Sequence, residues 1–263
     1  MPPTARTTIR KLNDHYESLK EQVAHDAKSP ATAGILRLAT ITALTFLSSS
    51  CTKIALTSKV PGKSYWSFTR RNGPKKLSRP VNESLFDFNC AALLQPLIED
   101  KLRNISPVDR ARLLYTVAMS YCCATDLLKT GDQKTPATYF ECLVGHLIAR
   151  AFSVNPRTQV EVLQLEDDEI DTLPTDFIFD LGSGKPKFHV PVKTSTRERV
   201  IQVFAHQRVL EWGAWVRKIQ GDFDLPNRNK IGPQDSGSSR NLRSQAVESL
   251  SAVYCPYAPL LLL

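Results

Sequence analysis

What this chain lacks excludes several kinds of protein. Its six cysteines form no CxxC pair and have no Cys/His ligand spacing, so neither a redox dithiol nor a zinc module is expected. Cys51, Cys90, Cys122, Cys123, Cys142 and Cys255 read instead as reduced, buried small apolar residues. No internal repeat is apparent, which argues against a solenoid. Long hydrophobic runs are missing too. The most apolar stretch, Ile35 to Leu47, is interrupted by Arg37, is too short for a bilayer and reads as a core helix. The first residues are polar and helix-like, without the charged start and apolar core of a secretory signal, so the expectation is a cytoplasmic protein with no membrane partner. Acid is absent from one whole segment, Ser58 to Pro80. That segment carries Lys59, Lys63, Arg70, Arg71, Lys75, Lys76 and Arg79, with Tyr65, Trp66 and Phe68 interleaved.

What is present is enough apolar material for a sizeable core: 42% of 263 residues, in one large domain or two small ones. A net charge of +8 favours a polyanionic partner, although a basic enzyme of small metabolites fits the same number. The acid-free segment at 58–80 reads either as a loop that tracks phosphates or as a basic surface loop whose aromatics tuck into the core.

Along the chain, Leu12, Tyr16, Leu19 and Val23 recur at helical spacing between Thr8 and Ala27, and Pro30 breaks that helix. From Val81 to about Leu128 the pattern is helical, through Phe86, Leu93, Leu94, Leu97 and Ile98, then Leu113, Leu114, Val117, Ala118 and Tyr121. Ser106 with Asp109 three residues on marks an N-cap. A further helix is expected from about Thr135, with Pro136 in its first turn. It places Glu141 on one face with Val144 and Ile148. An acid among apolar neighbours is costly unless paired or metal-bound, so Glu141 is either an active-site group or an edge residue reaching solvent. His146 reads as a satisfied helix histidine.

A strand follows over Thr158 to Leu165, and the acidic run Glu166 to Asp171 reads as a solvated turn. Leu173 to Leu210 then has the pattern strand, turn, strand, helix. Asp176, Ile178 and Asp180 share one face of the first strand; Phe177, Phe179 and Leu181 share the other. After a turn at Gly182 to Gly184, Phe188, Val190 and Val192 alternate with His189, Pro191 and Lys193. The hairpin can bring Asp176 beside Lys193. Such a carboxylate can hold a hard divalent cation while an ammonium steadies a phosphate, and Asp180 is a second, more remote carboxylate on the same face. Arg197, Glu198 and Arg199 fall within one turn of the following helix, capped by Ser195 or Thr196. Arginine grips guanine edges and a carboxylate accepts from cytosine, so this triplet suits G·C reading.

The ordered series PTD, PVK and TSTRER resembles the PD-(D/E)XK type II restriction endonucleases, in the branch that reads CC/GG-containing sites with a K-x-S/T-x-R-(D/E)-R segment. The resemblance covers about residues 135–211. It implies an α/β, restriction-endonuclease-like core, a small mixed sheet flanked by helices, behind a helical N-terminal part at 1–134. It also implies Mg2+ as cofactor, Asp176 as metal-binding aspartate, Lys193 as catalytic lysine, and base contacts from Arg197, Glu198 and Arg199. The motif's second acid falls on Pro191, and the alternative position in the following helix holds His206 and Gln207. Glu141 is therefore the remaining candidate for the second metal ligand. A palindromic site would imply a homodimer on double-stranded DNA.

After Glu211 the character changes. Residues 212–263 are polar and turn-rich and end in a run of leucines, where a core of this kind would add strands. One expectation is that this tail is the family's C-terminal region translated in a shifted frame; the other is a genuine disordered tail. The function expected is Mg2+-dependent hydrolysis of DNA at a short specific site, with a catalytically inactive DNA-binding relative as the alternative.

Overall fold

Short polar side chains set the start of each long helix. The computed structural model describes residues 4–58, 61–90, 94–163, 170–182, 187–190 and 192. Helix α1, Ala5–Asp26, begins where the Thr4 hydroxyl accepts the Thr7 amide, and it buries Leu12, Tyr16 and Leu19 along one stripe. Ser29 caps α2, Pro30–Ser50, with Pro30 in its first turn. The short link folds α2 back along α1, and His15 Nε2 meets Thr42 Oγ1 at 3.3 Å. At 21 residues α2 is longer than its apolar run, and by length and composition it could cross a membrane. Leu36, Ala39, Ala43, Phe46 and Leu47 are nevertheless buried in the protein core, as a core helix requires.

The acid-free segment contains a strand. Strands β1, Cys51–Leu56, β2, Tyr65–Arg70, and β3, Val81–Asn82, form an antiparallel meander in that order. Phe68 is fully buried, and its ring lies 5.6 Å from Phe86 and 5.8 Å from Phe88. Within 58–80, then, Tyr65–Arg70 is strand with Phe68 tucked into the core, and the described residues on either side of it remain irregular.

The helical expectation for 81–98 is also corrected. Asn82 Oδ1 accepts both the amide and the hydroxyl of Ser84, and the Asn82 amide donates to Tyr115 Oη at 2.8 Å. These local bonds turn the chain out of a helix. Among the described residues of that span the α-helical ones are Leu94–Ile98, α3, followed by a 3-10 turn at Leu102–Asn104. The Ser106 cap is present: its hydroxyl accepts the Asp109 amide at 3.1 Å and opens α4, Pro107–Leu128.

Helix α5, Lys134–Phe152, is held at its start by Asp132, which accepts the amide and hydroxyl of Thr135. It ends at Ser153, whose φ of +57° closes the helix in the left-handed region. One side of α5 gives Tyr139, Cys142 and Leu143 to the large core; Tyr139 stacks on Tyr121 with ring centroids 3.9 Å apart. The other side gives Val144 and Ala149 to a smaller core with Phe177, Phe179 and Val192.

That smaller core covers the second sheet. Strands β4, Arg157–Leu163, β5, Ile170–Asp180, and β6, Lys187–Val190, pair antiparallel in that order. The end of the acidic run, Ile170 and Asp171, is thus strand. The five described cysteines are free and buried, as expected. Burial pushes the thiols of Cys51, Cys90 and Cys122 up to about 11, which leaves them protonated and unreactive at neutral pH.

Candidate nuclease site

The central strand of the second sheet is irregular where the candidate aspartate lies. Arg157 pairs with Ile178, but Gln159 pairs with Pro174. Thr175, Asp176 and Phe177 therefore face the single residue Thr158. Such a bulge releases a residue from strict alternation and re-aims it.

Asp176 is partly buried, and its Oδ2 accepts the Val192 amide at 2.8 Å. The bond fixes one carboxylate oxygen against the start of the segment that follows β6. On the β6 side the register runs Phe177 to Val190, Ile178 to His189, Phe179 to Phe188 and Asp180 to Lys187. Val192 directly precedes Lys193. Lys193 lies outside the described residues, as do Pro191, Arg197, Glu198, Arg199, His206 and Gln207.

Glu141 is half-buried on α5, on the face that carries Val144 and Ile148 toward the smaller core. One turn further on, at Gly145, the helix touches the hairpin. A Cβ built there would come 2.6 Å from the Phe177 ring, so only glycine admits this approach. Glu141 is four residues from Gly145, about 6 Å along the helix. It thus belongs to the helix face that meets the strand carrying Asp176. Neither carboxylate is without a partner in the folded chain.

Asp180 proves to be a turn device. Its Oδ1 accepts the Gly182 amide at 3.1 Å, its Oδ2 pairs with Lys187 at 3.1 Å, and Gly182 has φ +104°. The Gly182 amide first, then Lys187, hold its carboxyl below the ordinary carboxylate range. A hairpin's ion pair and Asx-type turn fully account for it. His146 is buried, and its Nδ1–H donates to the Ala27 carbonyl at 2.6 Å. Burial lowers its pKa, so it is neutral at pH 7. Its role is to tie α5 to the end of α1, which agrees with the structural reading; Nε2 has no partner among the described residues.

Two basic residues of the meander are structural. Arg79 makes a bidentate pair with Asp126, Nε to Oδ2 at 2.8 Å and Nη2 to Oδ1 at 3.0 Å. Arg71 donates to the carbonyls of Cys51 and Ser48, satisfying the end of α2.

Among the described residues no three of His, Cys, Asp and Glu converge on a ready-made metal cage. Mg2+ does not ask for one, since it takes one or two carboxylates and completes its shell with water and substrate phosphate. Asp176 and Glu141 are carboxylates of the type such an ion takes. The bulge, the Val192 amide and the Gly145 contact were not anticipated from sequence. Gly145 on an otherwise large-residue helix face was the one available signal.

No protein-family model matches this sequence, and no curated protein matches it. Among solved structures, the type IIP restriction endonuclease Kpn2I is similar, with a TM-score of 0.58 and 21% identity over 76% of this chain and 70% of that chain. The likeness shows the fold: an α/β, restriction-endonuclease-like architecture of small sheets flanked by helices.

Proposed function

We propose that the chain is a type II restriction endonuclease that hydrolyses double-stranded DNA at a short specific site with a CC/GG core, using Mg2+ and acting as a cytoplasmic homodimer. The observation that carries this reading is the Val192 amide on the Asp176 carboxylate. It brings the residue next to Lys193 against the candidate metal ligand, and consecutive Cα atoms are only about 3.8 Å apart. The likeness to the solved type IIP enzyme supports the same reading.

Asp176 and Glu141 would hold the ion, which when bound polarises the phosphate and lowers the pKa of water. The Val192 amide keeps Asp176 oriented. The Lys193 ammonium would offset the charge that builds on the scissile phosphate. Arg197 and Arg199 would donate to guanine edges and Glu198 would accept from cytosine.

The test is plasmid cleavage with and without magnesium, beside Asp176→Ala and Lys193→Ala, with product ends sequenced. Discrete fragments are expected, falling about 10²- to 10³-fold in each variant, the size of losing one transition-state stabiliser. Pro191 at the motif's acid position favours a second reading, an inactive DNA-binding relative. Salt-sensitive binding without any magnesium-dependent cleavage would establish that one instead.

A further inference from the structure

From Ala27 to Asn82 the sequence holds ten lysines and arginines and no aspartate or glutamate. The structure divides these cations into two groups. Arg71 and Arg79 have internal partners, the end of α2 and Asp126. Lys53, Lys63, Arg70, Lys75 and Lys76 form no ion pair among the described residues. All five are carried by the strands of the meander and the two segments that join them. Lys63 and Lys75 are exposed, and Arg70 and Lys76 are half-exposed.

The cluster is partly built. Lys53 Nζ sits 4.0 Å from the Trp66 ring centroid and 4.7 Å from that of Phe88, so its stem covers the aromatic rim. Arg70 is opposite Cys51 in the ladder, one diagonal step from Lys53. Its guanidinium lies over Gly73, where an added Cβ would come 2.9 Å from Arg70 Cζ. The glycine thus lets a planar cation rest against the turn beside Lys75 and Lys76. A run of like charge without acids repels itself, and its natural complement is a polyanion. A protein partner fits poorly, because lysine is depleted where proteins meet.

The geometry points to this meander as a second, sequence-independent contact with the phosphate backbone of duplex DNA, outside the recognition segment Arg197 to Arg199. The inference rests on the nuclease reading. Lys63, Arg70, Lys75 and Lys76 touch phosphates, Gly73 is a positioning residue for Arg70, and Arg71 and Arg79 only hold the sheet.

Fluorescence anisotropy of the full chain on a random-sequence 30-base-pair duplex, in EDTA over a salt series, tests it. Lys63→Glu/Lys75→Glu/Lys76→Glu should weaken binding to every duplex at least tenfold at low salt. It should also flatten the log–log salt slope by about 0.9 for each phosphate no longer neutralised. The glutamine triple should shift in the same direction, and serves if the glutamates disturb folding by circular dichroism. Gly73→Ala should give a smaller flattening. Arg197→Ala/Arg199→Ala should lose site preference but keep the slope. Unchanged affinity and slope in both triples, with site binding still lost in the Arg197/Arg199 variant, would overturn the meander contact and leave the nuclease reading intact. A wild-type chain that binds no duplex would sink both.

Discussion

The two cores differ in how they are closed. The large core, built from α1, α2, α4 and the meander, is sealed by aromatic packing and by ties between distant parts of the chain. Arg79 with Asp126 and Tyr139 on Tyr121 are two of these. The small core is a thin layer between α5 and the β5–β6 hairpin, and it relies on a few aromatics. Phe152 stacks with Phe188 at 5.2 Å and meets Phe179 edge-on at 5.8 Å. Glu141 and Asp176 both border the thin layer. The difference teaches that the scaffold's stability and the site's geometry rest on largely separate side chains, with α5 and the end of α1 serving both cores through Phe140 and Val23.

The sharpest way to break that comparison is Phe179→Ala. Phe179 is fully buried, and truncation should cost about 3–5 kcal/mol. Amide exchange should show β5 and β6 losing protection while α4 keeps it; equal loss in α4 would mean that the two cores unfold as one.

Gly145→Ala has a smaller expected effect. The new methyl must displace the Phe177 ring, an overpacking cost of about 1–3 kcal/mol, against about 1 kcal/mol of improved helix propensity. Urea melts should show a net loss that Phe177→Leu relieves in a double-mutant cycle. Additive effects would show that the two residues do not press on each other.

The smallest effect is on pH dependence. Burial depresses the pKa of folded His146, while the unfolded value stays near 6.5. Below that unfolded value the unfolded chain takes up a proton that the native chain refuses. Stability is therefore fully present above about pH 6.5 and declines as pH falls toward the folded pKa. His15, also lowered by burial, contributes with the same sign. His146→Gln should flatten the decline between pH 7 and 5 in denaturant melts. An unchanged slope would remove His146 as its source.

Much of this architecture was legible because period and caps are local. Ser106 sits where its helix begins, Leu12, Tyr16 and Leu19 repeat at helical spacing in α1, and the alternation of Phe177 and Phe179 with Ile178 marked β5. The meander was not legible. Its strands are six residues or shorter, and lysine and serine dilute the alternation of β1 and β2. The turn at Asn82 was missed because a side chain bonding its own neighbourhood leaves no periodic trace. At the site, chemistry was readable in the residue types, but the bulge that frees Asp176 depends on pairing with β4, which sequence does not display. Asp180 stayed in view as a remote second carboxylate because a turn-forming carboxylate and a metal-binding one carry the same letter.

The hydrogen bond from His146 to Ala27 spans 119 residues. A ribosome adding about 5–20 residues per second needs roughly 6–24 s to cover that gap. For that interval the corner between α1 and α2 stands complete in outline, its last carbonyl waiting for α5, while α4 emerges first to cover the apolar flank of α2. The newborn chain is thus most exposed to chaperones and to its own neighbours early in synthesis, and α5 is the segment whose arrival ends the wait.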